Sequence, residues 1–160
     1  MVNIYNTKIN KDTGVNTNND KTIKVLSFVL DDQEYGIDIN YITTVIENDY
    51  SITRVPGTPK FIKGVINLRG DIVPIMELRN KLKLPPVEDT IDTKVIVVDF
   101  NEVLLGIKVD KVNEVIEIPK SSFEPLSSIS DDENLEYYQG ISKVGDKIII
   151  LIDIEKIIEI

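Results

Sequence analysis

The chain has 160 residues, 18 Lys and Arg against 27 Asp and Glu for a net charge of −9, and no Cys, His or Trp. Those absences exclude a Ser-His-Asp triad, a thiol nucleophile, an imidazole proton shuttle and a zinc site of N and S ligands, and leave no disulfide to supplement packing. The acidic balance without any Lys/Arg cluster in the sequence argues against nucleic acid as a partner, and the lack of a signal-type apolar segment or of about 20 consecutive apolar residues points to a cytoplasmic chain not inserted in a bilayer.

Residues 1–22 are rich in Asn, Thr, Lys and Asp and too poor in apolar side chains to offset the entropy of ordering, so a disordered tail is expected there. Beyond it the apolar content is dominated by 27 Ile and 17 Val, with no Ala. Such β-branched residues favour pleated, half-buried surfaces, and the reading is mostly β with at least eight short strands. Lys24–Leu30, Lys94–Val98 and Lys147–Ile152 are the clearest strands, each an apolar run of strand length bounded by charged residues or Gly. Four short helices are expected. Asp38–Val45 places Ile39, Ile42, Val45 and Ile46 at a spacing of three and four, with Asp38 as a cap, and Val109–Val115 repeats the pattern. Glu77–Leu82 and Asp153–Ile158 each follow a strand, the first closing at Pro85-Pro86.

The chain contains its own half twice. Setting Gly36 against Gly106 aligns residues 25–47 with 95–117 at an offset of 70 without a gap, keeping Val25/Val95, Gly36/Gly106, Ile37/Ile107, Val45/Val115, Ile46/Ile116 and Glu47/Glu117 identical. A second block aligns Gly64–Leu82 with Gly140–Ile158 at an offset of 76, the extra residues falling in the loop around Ser121–Glu136. An order of strands, Gly-containing hairpins and short helices repeated in this way is the mark of internal duplication. Two small closed barrels follow, residues 23–90 and 91–160, with the linker at Leu84–Asp89 and the exchange of strands between barrels left open. A groove between two such units is a preferred place for a ligand.

The most distinctive stretch is Phe61–Arg79, read as a strand Ile62–Leu68, a turn at Arg69-Gly70-Asp71 and a return strand Ile72–Met76. In the second copy the positions of Asn67, Arg69, Gly70 and Pro74 hold Lys143, Gly145, Asp146 and Ile150, so folding alone does not demand the first set. The string Gly64…Asn67-Leu68-Arg69-Gly70…Pro74…Glu77-Leu78-Arg79, preceded by Tyr35-Gly36-Ile37-Asp38-Ile39 and followed by Gly106-Ile107…Val109-Asp110-Lys111-Val112, resembles the CheW family of bacterial chemotaxis coupling proteins. The resemblance covers about residues 24–158. It implies two SH3-like five-stranded β-barrels around a shared core, and an adaptor without catalysis or cofactor. It further implies two partners, the cytoplasmic tip of transmembrane chemoreceptors in the groove between barrels and the regulatory domain of the histidine kinase CheA. The location implied is cytoplasmic, at the inner face of the membrane through receptor arrays. Carried over by motif position, Arg69, Ile42, Val45, Gly64, Val95 and Val115 are the receptor-binding candidates. Core packing accounts equally well for Val45 and Val115. Arg69 stands first, since a guanidinium at a hairpin turn has no packing role and can bind a carboxylate or carbonyl bidentately. Asp71 and Ile72, at the hairpin tip, are the kinase-binding candidates. The chain departs from many relatives at Thr44, where they carry an acidic residue; the nearest carboxylate in sequence is Glu47.

Three rival readings remain open from the sequence. The same module occurs fused in CheV and CheA, so a fragment of a larger signalling protein is one alternative, and a generic barrel that docks peptides is another. The third is an enzyme using carboxylates alone, for which Asp131-Asp132-Glu133 is the only tight acidic run; its spacing fits no calcium loop and no Gly-rich phosphate cradle accompanies it, so no metal site is assigned.

Overall fold

The computed structural model describes residues 21–126 and 134–159. Most of the expected N-terminal tail and the acidic run Asp131-Asp132-Glu133 lie outside the described residues. Among the described residues there are eleven strands: β1 (Thr22–Leu30), β2 (Gln33–Asp38), β3 (Ile42–Glu47), β4 (Ile62–Leu68), β5 (Asp71–Glu77), β6 (Lys94–Phe100), β7 (Val103–Val109), β8 (Lys111–Pro119), β9 (Phe123–Glu124), β10 (Tyr138–Val144) and β11 (Lys147–Ile152). Two short helices follow β5 and β11, α1 (Leu78–Lys81) and α2 (Ile154–Ile158), as expected.

The other two expected helices are strands. Asp38 does cap a turn, accepting a hydrogen bond from Asn40 N at 2.9 Å, but that turn is a single 3₁₀ turn, Ile39–Tyr41. Ile42-Thr43-Thr44-Val45-Ile46 is β-branched throughout and continues as β3. A bulge explains the misleading period. Ile42 pairs with Val98 and Thr44 with the adjacent Val97, so the ladder slips by one residue and both Ile42 and Val45 turn inward. The same slip in β8 sets Val112 opposite Phe28 and Val115 opposite Leu26. Helical spacing here is the signature of a bulged strand.

The strands form two sheets, ordered β8-β1-β2-β11-β10-β9 and β3-β6-β7-β5-β4. Under the offsets of 70 and 76, β3, β6, β7, β5 and β4 correspond to β8, β1, β2, β11 and β10, which is the first sheet in the same order with the two-residue β9 added. The registers correspond as well: Ile75 lies opposite Gly106 in the parallel pair β5/β7, and Leu151 opposite Gly36 in β11/β2. Residues 23–90 therefore supply strands to both sheets, as do residues 91–160. Each barrel takes its first hairpin from one copy and its last three strands from the other.

Gly36 and Gly106 are small for one shared reason. A Cβ at Gly106 would stand 2.6 Å from Ile75 Cδ1 and 2.9 Å from Val95 Cγ1, and one at Gly36 would meet the equivalent Leu151 and Val25 at 3.2 and 3.1 Å. The fold is thus mostly β, two SH3-like barrels with short helices. Val25, Ile118, Ile149 and Leu151 fill the first barrel, and Ile66, Leu68, Val73, Ile75, Val95 and Val97 fill the second. Between them runs a larger core, shared by Leu26, Phe28 and Leu30 of β1, Ile96 and Val98 of β6, and Leu78, Ile154 and Ile157 of the helices. Strands β1 and β6 face a barrel interior on one side and the shared core on the other, hence their continuous apolar runs.

Candidate functional site

The β4–β5 hairpin projects from the second barrel. Arg69 and Gly70 form its two-residue turn with φ of 53° and 92°, both left-handed as in a type I′ hairpin turn. Asn67 Oδ1 accepts the Gly70 N–H at 2.9 Å and fixes the turn. Gly70 adopts this conformation without strain, whereas Arg69 bears a Cβ against the following carbonyl. The corresponding residue of the β10–β11 hairpin is Gly145, with φ of 62°. One copy thus uses the residue suited to the backbone, and the other holds an arginine there at a steric cost.

The Arg69 side chain is exposed, and no carboxylate among the described residues pairs with it. Glu47, the carboxylate nearest in sequence to Thr44, binds Lys94 at 3.3 Å instead. Ile42, Val45 and Val95 are 1%, 8% and 3% exposed. The first two belong to the shared core and Val95 to the interior of the second barrel. Val115 is half-buried against the shared core. Gly64 lies under the segment that precedes β4: its φ is 149°, and a Cβ would stand 2.4 Å from the Thr53 carbonyl oxygen. Of the six receptor-binding candidates, Arg69 is the one whose side chain reaches outward without serving the core.

Asp71 and Ile72 are exposed beside the same turn, Ile72 at 62%. Strands β5 and β7 run parallel with Ile75 opposite Gly106, and Val103, which opens β7, is 51% exposed. The first barrel has Ile148 and Gln33 at these positions, and there Gln33 Nε2 donates to the Ile148 carbonyl at 2.9 Å.

Polar clusters join the barrels. Arg79 on α1 is 2% exposed; its NH2 group donates to Asp31 in the β1–β2 turn at 2.5 Å, NH1 to Asp110 between β7 and β8 at 2.7 Å, and Nε to the Pro85 carbonyl at 2.8 Å. Burial would lower its pKa, but the two carboxylates more than offset that and raise it. Lys81 Nζ stands 4.0 Å from the ring centre of Phe61 and 5.0 Å from that of Tyr137, and burial lowers its pKa. Lys108 binds Asp89 of the linker at 2.5 Å and Glu77 at 3.3 Å. The Arg79 network was legible only as part of a motif, since its two carboxylates lie 48 and 31 residues away.

Nothing in this arrangement resembles a catalytic centre. No group of three or more His, Cys, Asp or Glu among the described residues could hold a metal ion. No helix among them is long and apolar enough to cross a membrane. Residues 24–160 match the family model for the CheW-like domain. The chain belongs to the CheW-like family. It is 40% identical to chemotaxis protein CheW of Klebsiella aerogenes over 133 residues, covering 83% of this chain and 80% of that one. It is 37% identical to chemotaxis protein CheW of Thermotoga maritima over 139 residues, covering 87% and 89%. Among solved structures it resembles the scaffolding protein CheW of Thermoanaerobacter tengcongensis, with a TM-score of 0.80 and 35% identity over 88% of this chain and 94% of that one. A CheW-like chain of this kind is a chemotaxis scaffold and not an enzyme.

Proposed function

We propose that this CheW-like chain couples chemoreceptors to the histidine kinase CheA, at the cytoplasmic face of the membrane, by holding both partners at once. The observation that carries the reading is Arg69: an exposed guanidinium, without a carboxylate partner among the described residues, kept at a left-handed turn position where the other copy has Gly. Positive φ at a non-Gly residue recurs at Asp31, Asp32, Lys83, Asn101 and Glu102, so what supports a task in binding is the exposed guanidinium at the hairpin tip where the other copy has Gly145. Arg69 can take a carboxylate or carbonyl of the receptor tip in bidentate fashion; Val115 and Gly64 remain receptor-binding candidates by motif position alone. Ile42, Val45 and Val95, the other receptor-binding candidates, are buried and can act only through packing. Asp71 and Ile72 form the kinase-facing end: an apolar side chain exposed at a barrel tip suits docking against another barrel end.

The test separates the two surfaces. Arg69→Ala is expected to weaken receptor binding at least tenfold, about 1.4 kcal/mol, with kinase binding and thermal stability nearly unchanged. Ile72→Asp is expected to do the reverse. Equal losses at both partners from Arg69→Ala would make Arg69 a folding residue and remove the main support of this reading.

A further inference from the structure

Residues 50–63 carry three cations, Arg54, Lys60 and Lys63, and no acid, in a chain of net charge −9. All three side chains are exposed, and none forms an ion pair within the described residues. Tyr50, Ile52 and Val55 of the same segment are 41%, 38% and 40% exposed, so three of the large apolar side chains left to solvent among the described residues occur within six positions. The segment is held in place. Thr53 exchanges two backbone hydrogen bonds of 2.8 Å with Val65, and Ile52 rests over Gly64. Lys60 and Lys63 also line a basin of about 390 Å³, across which stands Val87, itself 52% exposed. Of the acids around that basin, Glu77 and Asp89 are engaged by Lys108, leaving Glu88.

We infer that this surface is a further docking site, for an acidic amphipathic helix of a partner protein. The sign of the partner follows from charge complementarity: an acidic segment is repelled by most of this chain and attracted here. Its apolar face follows from the Tyr50, Ile52 and Val55 side chains, which lie in a polar surround as an interaction patch does. A helix is favoured over an added strand because Thr53 already bonds the outer edge of β4 at Val65. The site is separate from Arg69. Lys63 and Arg69 sit toward opposite ends of β4, about 20 Å apart at the rise of an extended strand; Ile52 overlies Gly64, one of the receptor-binding candidates, so it is the Arg69→Ala arm of the test that separates this site from the coupling contact.

The probe is a fluorescent 18-residue peptide with Leu at helical positions i, i+3, i+4 and i+7 and Glu flanking them, titrated into the full chain and read by anisotropy. Saturable binding is expected, weakening on addition of salt and at least tenfold in Lys60→Glu/Lys63→Glu and in Ile52→Ser. Arg69→Ala should bind it normally. Thermal melts of the variants should match the parent, as the side chains are exposed. The inference is overturned if the peptide does not bind, if its Gln-for-Glu counterpart binds as well, or if Arg69→Ala loses as much as the lysine variant. It is overturned equally if phosphatidylglycerol vesicles sediment the chain while the peptide leaves those lysines unoccupied, since the surface then recognises lipid.

Discussion

On the coupling proposal, the demands of backbone and partner pull apart at Arg69. A non-Gly residue in the left-handed region costs roughly 1–2 kcal/mol, and the second copy avoids that cost with Gly145. Arg69→Gly is therefore expected to stabilise the chain by about 1 kcal/mol in urea denaturation while weakening receptor binding at least tenfold. A variant that loses stability would show that the side chain serves the fold. Asp89 makes a different argument, through protonation. Burial would raise its pKa, but hydrogen bonds from Lys108 and Asn48 overcome this and hold it below its ordinary value of 3.8. A carboxylate depressed in the folded state contributes stability that is present above the ordinary value and lost as pH falls through the folded one. Acid unfolding of Asp89→Asn should accordingly depend less steeply on pH below about 4 than that of the parent, with no difference in slope from pH 6 to 8.

At the level of elements, α1 is the clasp of the molecule although it has only four residues. Through Arg79 it reaches a turn of each copy, Asp31 and Asp110, and through Lys81 it sits between Phe61 and Tyr137. The guanidinium is buried while both carboxylates are partly exposed. Removing the carboxylates strands a buried charge, whereas removing the arginine leaves two acids that water can solvate. Asp31→Asn/Asp110→Asn is therefore expected to cost about 3–5 kcal/mol, more than Arg79→Met, in equilibrium denaturation. The reverse order would mean that the network is hydrated and contributes little.

This is also the scale at which sequence reading reached its limit. The β-branched runs, the Arg69-Gly70 turn and α1 and α2 were legible because each is set by local chemistry. The strands β3 and β8 were mistaken for helices because a bulge brings residues three apart onto one face, and a bulge is fixed by the partner strand rather than by its own residues. The Arg79 clasp stayed hidden for a related reason: its two carboxylates, Asp31 and Asp110, are distant in sequence and one of them comes from the other copy. Arg54, Lys60 and Lys63 are spaced too widely to read as a cluster until the Thr53–Val65 pairing folds their segment against β4.

As a whole, the molecule is a duplication whose halves have exchanged strands, so that neither barrel can form from one copy alone. The shared core of β1, β6 and the helices then makes the two barrels one body. A rigid body with different surfaces on equivalent positions, Arg69 against Gly145, Ile72 against Ile148 and Val103 against Gln33, is suited to holding two partners at a fixed distance. Coupling is the central claim, and co-sedimentation tests it most directly, with receptor cytoplasmic fragments assembled on vesicles and purified CheA. The chain is expected to pellet with receptor alone and to raise the amount of CheA that pellets with it. If it pellets with neither partner, or leaves the amount of pelleted CheA unchanged, it does not couple them.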